Sequence, residues 1–282
     1  MIYCESKRIL FLVTLTFIGI FLIIQNVKET TFKKIARHSI FCFILTTETS
    51  FNKIKSVNDT WAQDCDDYVF VMKSTRHPSI PFLNVPIDVE NRRNILTKSL
   101  HAIRYLINEY PKKYDFYLKS DDDTFVIVNN LRHILKDMDP EKDLYMGRRL
   151  KKFIKSGYNS GGAGYVLSRQ SMIKIASELM KNETLCSNDG LEDVGIGLCA
   201  EKLGIPIYDS RDSQGRERFH PFSPYTSYFG SEAAPWIKEY NYYPLKNGFD
   251  CCSDESVSFH YISPAHMYIM NLITKHVKVR QD

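Results

Sequence analysis

Tyr114-Asp-Phe-Tyr-Leu-Lys-Ser-Asp121-Asp122-Asp123-Thr-Phe-Val-Ile-Val128 places three consecutive carboxylates between two apolar runs. Adjacent like charges about 5 Å apart repel by ~3 kcal/mol per pair at an effective dielectric near 20. A solvated turn with N-capping aspartates explains most isolated Asp-Asp-Asp triplets. Here the triplet ends a strand and leads into an apolar segment, which favours relief by a cation. Carboxylate oxygens suit hard divalent ions such as Mn²⁺ or Mg²⁺, which commonly share their shell with a ligand's phosphates.

Outward from this point the pattern alternates. Residues 39–45, 68–72, 114–119, 143–147 and 165–168 read as strands. Residues 50–61, 94–110, 126–137, 170–181 and 190–203 read as helices, with Ile95, Leu100, Ile103, Leu106 and Ile107 on one stripe of the second. Strand–helix alternation at this spacing predicts an α/β fold with a mainly parallel sheet covered on both faces. Ligands of such sheets lie beyond the carboxyl ends of the strands, where the triplet falls. From about residue 205 prolines and aromatics dominate, and irregular structure wrapped on the same core is expected. No internal repeat or low-complexity tract divides the chain.

A chain of 282 residues that is 44% hydrophobic can bury a substantial core. Residues 9–24 are free of charge and proline and span about 24 Å as a helix. They predict an uncleaved signal anchor, with 1–8 as a cytosolic tail, 25–37 as a short stem and 38–282 as a lumenal domain. Basic residues flank the span on both sides, so the charge bias leaves orientation open. Six cysteines after the span (Cys42, Cys65, Cys186, Cys199, Cys251, Cys252) and two acceptor sequons, at Asn58 and Asn182, point to an oxidising lumen. No Cys-x-x-Cys is present, which argues against structural zinc. Cys251–Cys252 reads as a vicinal bridge or as halves of two bridges. Cys42–Cys65 and Cys186–Cys199 are the preferred remaining pairs, although connectivity does not follow from sequence. Residues 1–37 hold six basic and two acidic side chains, a balance of +4 equal to that of the whole chain. The remainder is neutral and lacks the basic face of a nucleic-acid binder.

Glycine signatures for dinucleotides, P-loops and hydrolase elbows are missing. Ser160-Gly-Gly-Ala-Gly164 is a tight turn or a backbone held close to a sugar, with Gly162 at its centre. Asp189 and Glu192 form a capping-box pattern at a helix start, leaving Asp193 unexplained. As a base, Asp193 would feel the helix dipole lowering its pKa and desolvation raising it. His260, in the apolar run 257–261, reads as a hydrogen-bonded core histidine or as a further Mn²⁺ ligand. The aromatic density of residues 219–243, including Trp236 and Tyr242, suits lobe packing and a carbohydrate platform equally.

These segments together resemble the core 1 β1,3-galactosyltransferases of mucin-type O-glycosylation, within the fringe-related β1,3-glycosyltransferase group. The resemblance rests on Thr60-Trp-Ala-Gln63 with Cys65, Leu118-Lys-Ser-Asp-Asp-Asp-Thr124, Gly147-Arg-Arg149, Ser160 to Ser168, Glu192-Asp193, Asp209-Ser-Arg-Asp212, Phe219-His-Pro-Phe222, Tyr240-Asn-Tyr-Tyr-Pro244, Cys251-Cys-Ser-Asp254 and Val257-Ser-Phe-His-Tyr261. They run in family order across residues ~39–270. The resemblance implies a GT-A fold, a single-pass type II Golgi (or ER–Golgi) protein, and inverting transfer of galactose from UDP-galactose to the 3-hydroxyl of GalNAc α-linked to Ser or Thr. It implies Asp121, Asp123 and His260 as Mn²⁺ ligands and Asp193 as base. Thr46, Glu90, Arg92, Lys98, Asp122 and Tyr261 would contact the UDP donor; Gly162, Glu192, Trp236 and Tyr242 would contact the acceptor. Departures from the family are Leu45-Thr46-Thr47 for Met-Thr-Gly, Asn91 for a glycine, and a missing second tryptophan near Trp236. Fringe-like GlcNAc transfer and a non-catalytic lumenal chaperone are the alternatives; the chaperone branch lacks the acidic triplet that is intact here. Oligomeric state does not follow from the sequence, and a homodimer is left open.

Overall fold

The computed structural model describes residues 37–74, 79–182, 184–186 and 190–278. In chain order its strands are β1 (Ile40–Leu45), β2 (Asp67–Met72), β3 (Phe82–Asn84), β4 (Phe116–Asp121), β5 (Phe125–Val126), β6 (Tyr145–Gly147), β7 (Arg149–Leu150), β8 (Tyr158–Asn159), β9 (Tyr165–Ser168), β10 (Ile207–Asp209), β11 (Phe219–His220) and β12 (Ser258–Phe259). The helices are α1 (Phe51–Asn58), α2 (Ile95–Glu109), α3 (Val128–Leu135), α4 (Arg169–Lys181), α5 (Glu192–Lys202), α6 (Pro224–Phe229), α7 (Ile237–Tyr240) and α8 (Pro264–Lys275).

Among the described residues the central sheet has seven strands in the order β10-β6-β9-β4-β1-β2-β3, parallel except for β9, which runs against β4 and β6. Every residue of β1 is buried, as a continuous apolar run demands of a central parallel strand. Its side chains alternate between two cores: Ile40, Cys42 and Ile44 enter one, and Phe41, Phe43 and Leu45 the other. Strand order reverses between β1 and β4, so the crevice at their carboxyl ends is the topological switch point. The register sets Leu45 opposite Asp121. The residue after β1 therefore meets the residue after β4.

A smaller sheet, β11-β12-β5, serves the same place. β12 runs antiparallel to β5 with Phe259 opposite Phe125. That pairing carries the next residue, His260, back toward the triplet preceding β5. The Ile262 amide donates to the Asp123 carbonyl at 2.9 Å and holds the approach.

Several expectations are refined. The helix expected from 126 begins at Val128, because Phe125 and Val126 pair with β12. The cap residue of α5 is Leu191, and Asp189, expected as the cap, lies outside the described residues. The irregular tail ends in the 12-residue helix α8, capped by Ser263 with Pro264 at its first position. Disulfides join Cys42–Cys65, Cys186–Cys199 and Cys251–Cys252. Asn182 is exposed; Asn58 is half-buried, its Oδ1 accepting from the Tyr68 hydroxyl at 2.9 Å.

The expected location, a single-pass Golgi membrane protein, is corrected. No helix among the described residues is long and apolar enough to cross a membrane, and the anchor proposed at 9–24 lies outside the described residues.

Candidate active site

Two open clefts meet at the carboxyl end of β4. The first, about 470 Å³, is lined by Thr46, Lys53, Glu90, Arg92, Lys98, the whole acidic triplet and His260. The second, about 450 Å³, is lined by Asp121, Gly161, Gly162, Glu192, Asp193, Trp236, Tyr240, His260 and Tyr261, among others. Asp121, His260, Arg92 and Ile95 border both.

At the junction, ligand atoms of Asp121, Asp123 and His260 lie within 4.8 Å of one another. His260 Nε2 is 3.0 Å from Asp123 Oδ1 and 3.8 Å from Asp121 Oδ2. Burial opposes a charge on Asp123, but the His260 hydrogen bond and charge, aided by Lys53, outweigh it and hold the carboxyl at about 2. Two carboxylate donors and an imidazole suit Mn²⁺ or a similar cation. The turn at Gly162 supports the same arrangement: a Cβ there would come within 2.3 Å of the His260 ring. That close approach is to the imidazole, where the sequence suggested a sugar. His260 borders both clefts and is not an enclosed core histidine.

Asp122 turns away from this cluster. Its Oδ2 accepts from Thr46 Oγ1 at 2.7 Å, as the β1–β4 register dictates, and its Oδ1 lies 3.2 Å from Lys53 Nζ. Burial raises the Asp122 pKa against those two contacts. Lys53 also reaches Asp123 Oδ2 at 2.9 Å. On the same wall, the buried Lys98 ammonium donates to the Thr46 carbonyl and to Glu90 Oε2 at 2.9 Å. Asn91 is extended (φ −148°), a backbone any residue adopts, and its Oδ1 accepts from the Asn94 amide at 3.1 Å. The family's glycine is therefore not needed there.

Asp193 opens α5 and borders the second cleft. Its Oδ2 accepts from the Gly161 amide at 3.3 Å and its Oδ1 from the Val194 amide at 2.9 Å. Desolvation raises its pKa, the neighbouring Glu192 charge adds to the rise, and the amides and Lys119 only partly offset it. Desolvation therefore outweighs the amide and ammonium contacts, and a raised pKa is the direction a general base requires. Glu192 itself points into the core: Oε1 accepts from Ser99 Oγ at 2.7 Å and the Tyr165 hydroxyl at 2.6 Å.

Of the expected acceptor residues, Trp236 faces the second cleft, 45% exposed, with edge contacts to Phe222 and Tyr240 at 5.3 and 5.0 Å. Tyr242 does not line it. Its ring lies under the Arg149 guanidinium at 3.8 Å and borders a separate depression. Tyr240 stands in the cleft wall instead. Tyr261, expected to contact the donor, borders the second cleft, stacks on His260 at 3.9 Å and takes the left-handed φ of +57°. Sequence reading missed Lys53 and Lys119. For Lys119 a signal existed: a charged residue inside a buried run, two positions before Asp121 and so on the same strand face. For Lys53, on a half-exposed helix, there was none.

A cation-suited cluster at a sheet switch point, with a carboxylate bordering a second cleft, marks the ligand crevice of the α/β fold expected from the sequence. The comparisons agree. Residues 35–224 match the Fringe-like family, and the chain belongs to it. Over 258 residues, 90% of this chain and 70% of the relative, it is 36% identical to the glycoprotein-N-acetylgalactosamine 3-beta-galactosyltransferase 1 of Xenopus laevis. It is 27% identical over 56% of its length to the beta-1,3-glucosyltransferase of Mus musculus, of which it covers 32%. Among solved structures it is similar to a glycosyltransferase involved in glycosylating the major capsid of PBCV-1 (TM-score 0.47, 12% identity, 83% and 99% of the two chains). It is also similar to a galactosyltransferase solved with donor and acceptor sugar analogues (TM-score 0.43, 13% identity, 80% and 88%). The protein is a glycosyltransferase of the Fringe-like family with an α/β architecture built on a mostly parallel sheet.

Proposed function

We propose that residues 38–282 form a catalytic domain transferring galactose from UDP-galactose to the 3-hydroxyl of GalNAc α-linked to Ser or Thr, with inversion and with Mn²⁺ as cofactor. The carrying observation is the junction itself: Asp121, Asp123 and His260 converge where the two clefts meet, and Asp193 borders the acceptor-side cleft alone. The Xenopus relative supplies the reason to prefer galactose and GalNAc.

In this reading the polar first cleft takes the nucleotide sugar. Asp121, Asp123 and His260 would hold the cation; when bound, it offsets charge on the departing diphosphate. Glu90, Arg92, Lys98, Thr46 and Asp122 shape the nucleotide wall. The aromatic second cleft takes the acceptor, whose apolar sugar face stacks on Trp236. Asp193 accepts the proton of the attacking hydroxyl as its oxygen bonds to the anomeric carbon and the bond to the diphosphate breaks. No covalent intermediate forms, and much of the acceleration comes from holding the two sugars in line.

The test offers the purified protein UDP-galactose, Mn²⁺ and a GalNAc-threonine peptide. Disaccharide product that vanishes with EDTA and falls on the order of 10³-fold in Asp123→Ala is expected. Folded protein that turns over no sugar nucleotide yet raises a related transferase's yield would instead establish the chaperone reading.

A further inference from the structure

Lys119 lies inside the buried strand β4, and its side chain is 1% exposed. An ammonium taken out of water without partners costs several kcal/mol, so what holds it there matters. Its Nζ sits 2.8 Å from Asp121 Oδ1, 3.2 Å from Glu192 Oε2 and 3.1 Å from the Gly161 carbonyl. Three acceptors match three N–H groups. One carboxylate belongs to the cation cluster; the other is the first residue of α5, immediately before Asp193. Ser99 and Tyr165 occupy Glu192 Oε1, which fixes that carboxylate to the core and leaves Oε2 for Lys119.

We propose that Lys119 is a positioning residue whose buried ammonium ties Asp121 to Glu192 and so sets the cation-binding carboxylates at a fixed distance from Asp193. The inference rests on the metal and base roles proposed above. Strand β4 and helix α5 are separated by some 70 residues of chain, and this charge bridge joins their ends directly. It also gives Glu192 a role that neither capping nor acceptor binding supplies.

Lys119→Met, Glu192→Gln and the double variant, each in the full chain, are compared for Mn²⁺ affinity by calorimetry, for kcat and for both KM values. Lys119→Met should bind Mn²⁺ at least as tightly as wild type, because a competing cation has left Asp121. Its kcat should nevertheless fall about 100-fold, with each KM moving less than about threefold. Affinity rising while turnover falls is not what general loosening of the fold produces. Glu192→Gln keeps size and core hydrogen bonding but should weaken Mn²⁺ binding, as Lys119 commits its charge to Asp121. The double variant should lose no more kcat than Lys119→Met alone. A folded Lys119→Met with kcat within about threefold of wild type overturns the inference, and so do losses that add in the double variant. Should Lys119→Met not fold, Glu192→Gln decides: weaker Mn²⁺ binding with lower kcat supports the bridge, and unchanged Mn²⁺ affinity rejects it. Wild-type protein that takes up no Mn²⁺ sinks the metal reading and the bridge together. Wild-type uptake with unresponsive variants sinks the bridge alone.

Discussion

The cleft bordered by Thr46, Lys53 and the acidic triplet draws its walls from the ends of β1 and β4, from α1, from residues 90–98 leading into α2 and from His260. The cleft bordered by Asp193, Trp236 and Tyr240 shares Arg92, Ile95, Asp121 and His260 with the first and gathers most of its remaining wall from stretches between residues 150 and 261. The first is charged, and its partners are set by strand register. The second adds aromatic side chains to its charged groups and is set by packing. In the proposed reading, sheet geometry fixes groups that would meet a diphosphate of constant shape. Loops and short helices on a rigid frame leave the acceptor wall free to differ between relatives.

If the two clefts divide the labour in this way, substitutions should separate by which constant they move. The largest effect is expected for Asp193→Asn: transfer falls about 10²–10⁴-fold, while UDP and Mn²⁺ affinity in titrations stays at the wild-type level. Unimpaired transfer would remove Asp193 as the base. The same residue fixes the sign of the pH response. A base works ionised, and its folded pKa lies above the ordinary 3.8. Turnover is therefore full at high pH and declines as pH drops through that raised value. An acid limb in kcat that begins above pH 3.8 and disappears in Asp193→Asn checks this.

Gly162→Ala probes the border between the clefts. Its new methyl must displace His260, at a cost of about 1–3 kcal/mol by overpacking. Mn²⁺ affinity should fall up to ~100-fold although residue 162 carries no ligand atom; an unaltered titration would show that the turn does not seat the imidazole. Trp236→Ala comes next. Losing an aromatic contact worth about 0.5–1.5 kcal/mol should raise the acceptor KM about 3- to 10-fold and leave the donor KM unchanged. A donor-side effect would break the division. The smallest change is expected from Tyr242→Ala, outside the cleft under Arg149. Its acceptor KM should stay within about twofold of wild type, and a rise matching that of Trp236→Ala would return it to the acceptor wall.

Much of the donor side was legible before folding. Asp121, Asp122 and Asp123 stand together in the chain, the buried runs around them read as strands, and a parallel sheet places strand ends at its ligand crevice. Lys119 was also visible in principle, as a charge two residues before Asp121 in an apolar run. The helix α8 was missed despite its Ser263-Pro264 start, because only Met267 of its length is buried and the apolar stripe is faint.

The sequence by itself determined the main strand–helix alternation up to about residue 203, the acidic triplet at a strand end and the family, because hydrophobic periodicity and contiguous motifs are local properties. Tertiary structure alone decided that His260 reaches Asp123 through the β5–β12 pairing and that Glu192 turns inward to Lys119. It also decided that Tyr240 rather than Tyr242 joins the acceptor wall, and that Asp193 is desolvated enough to raise its pKa. Each of these depends on groups far apart in the chain whose distance and burial exist only once the sheets have paired.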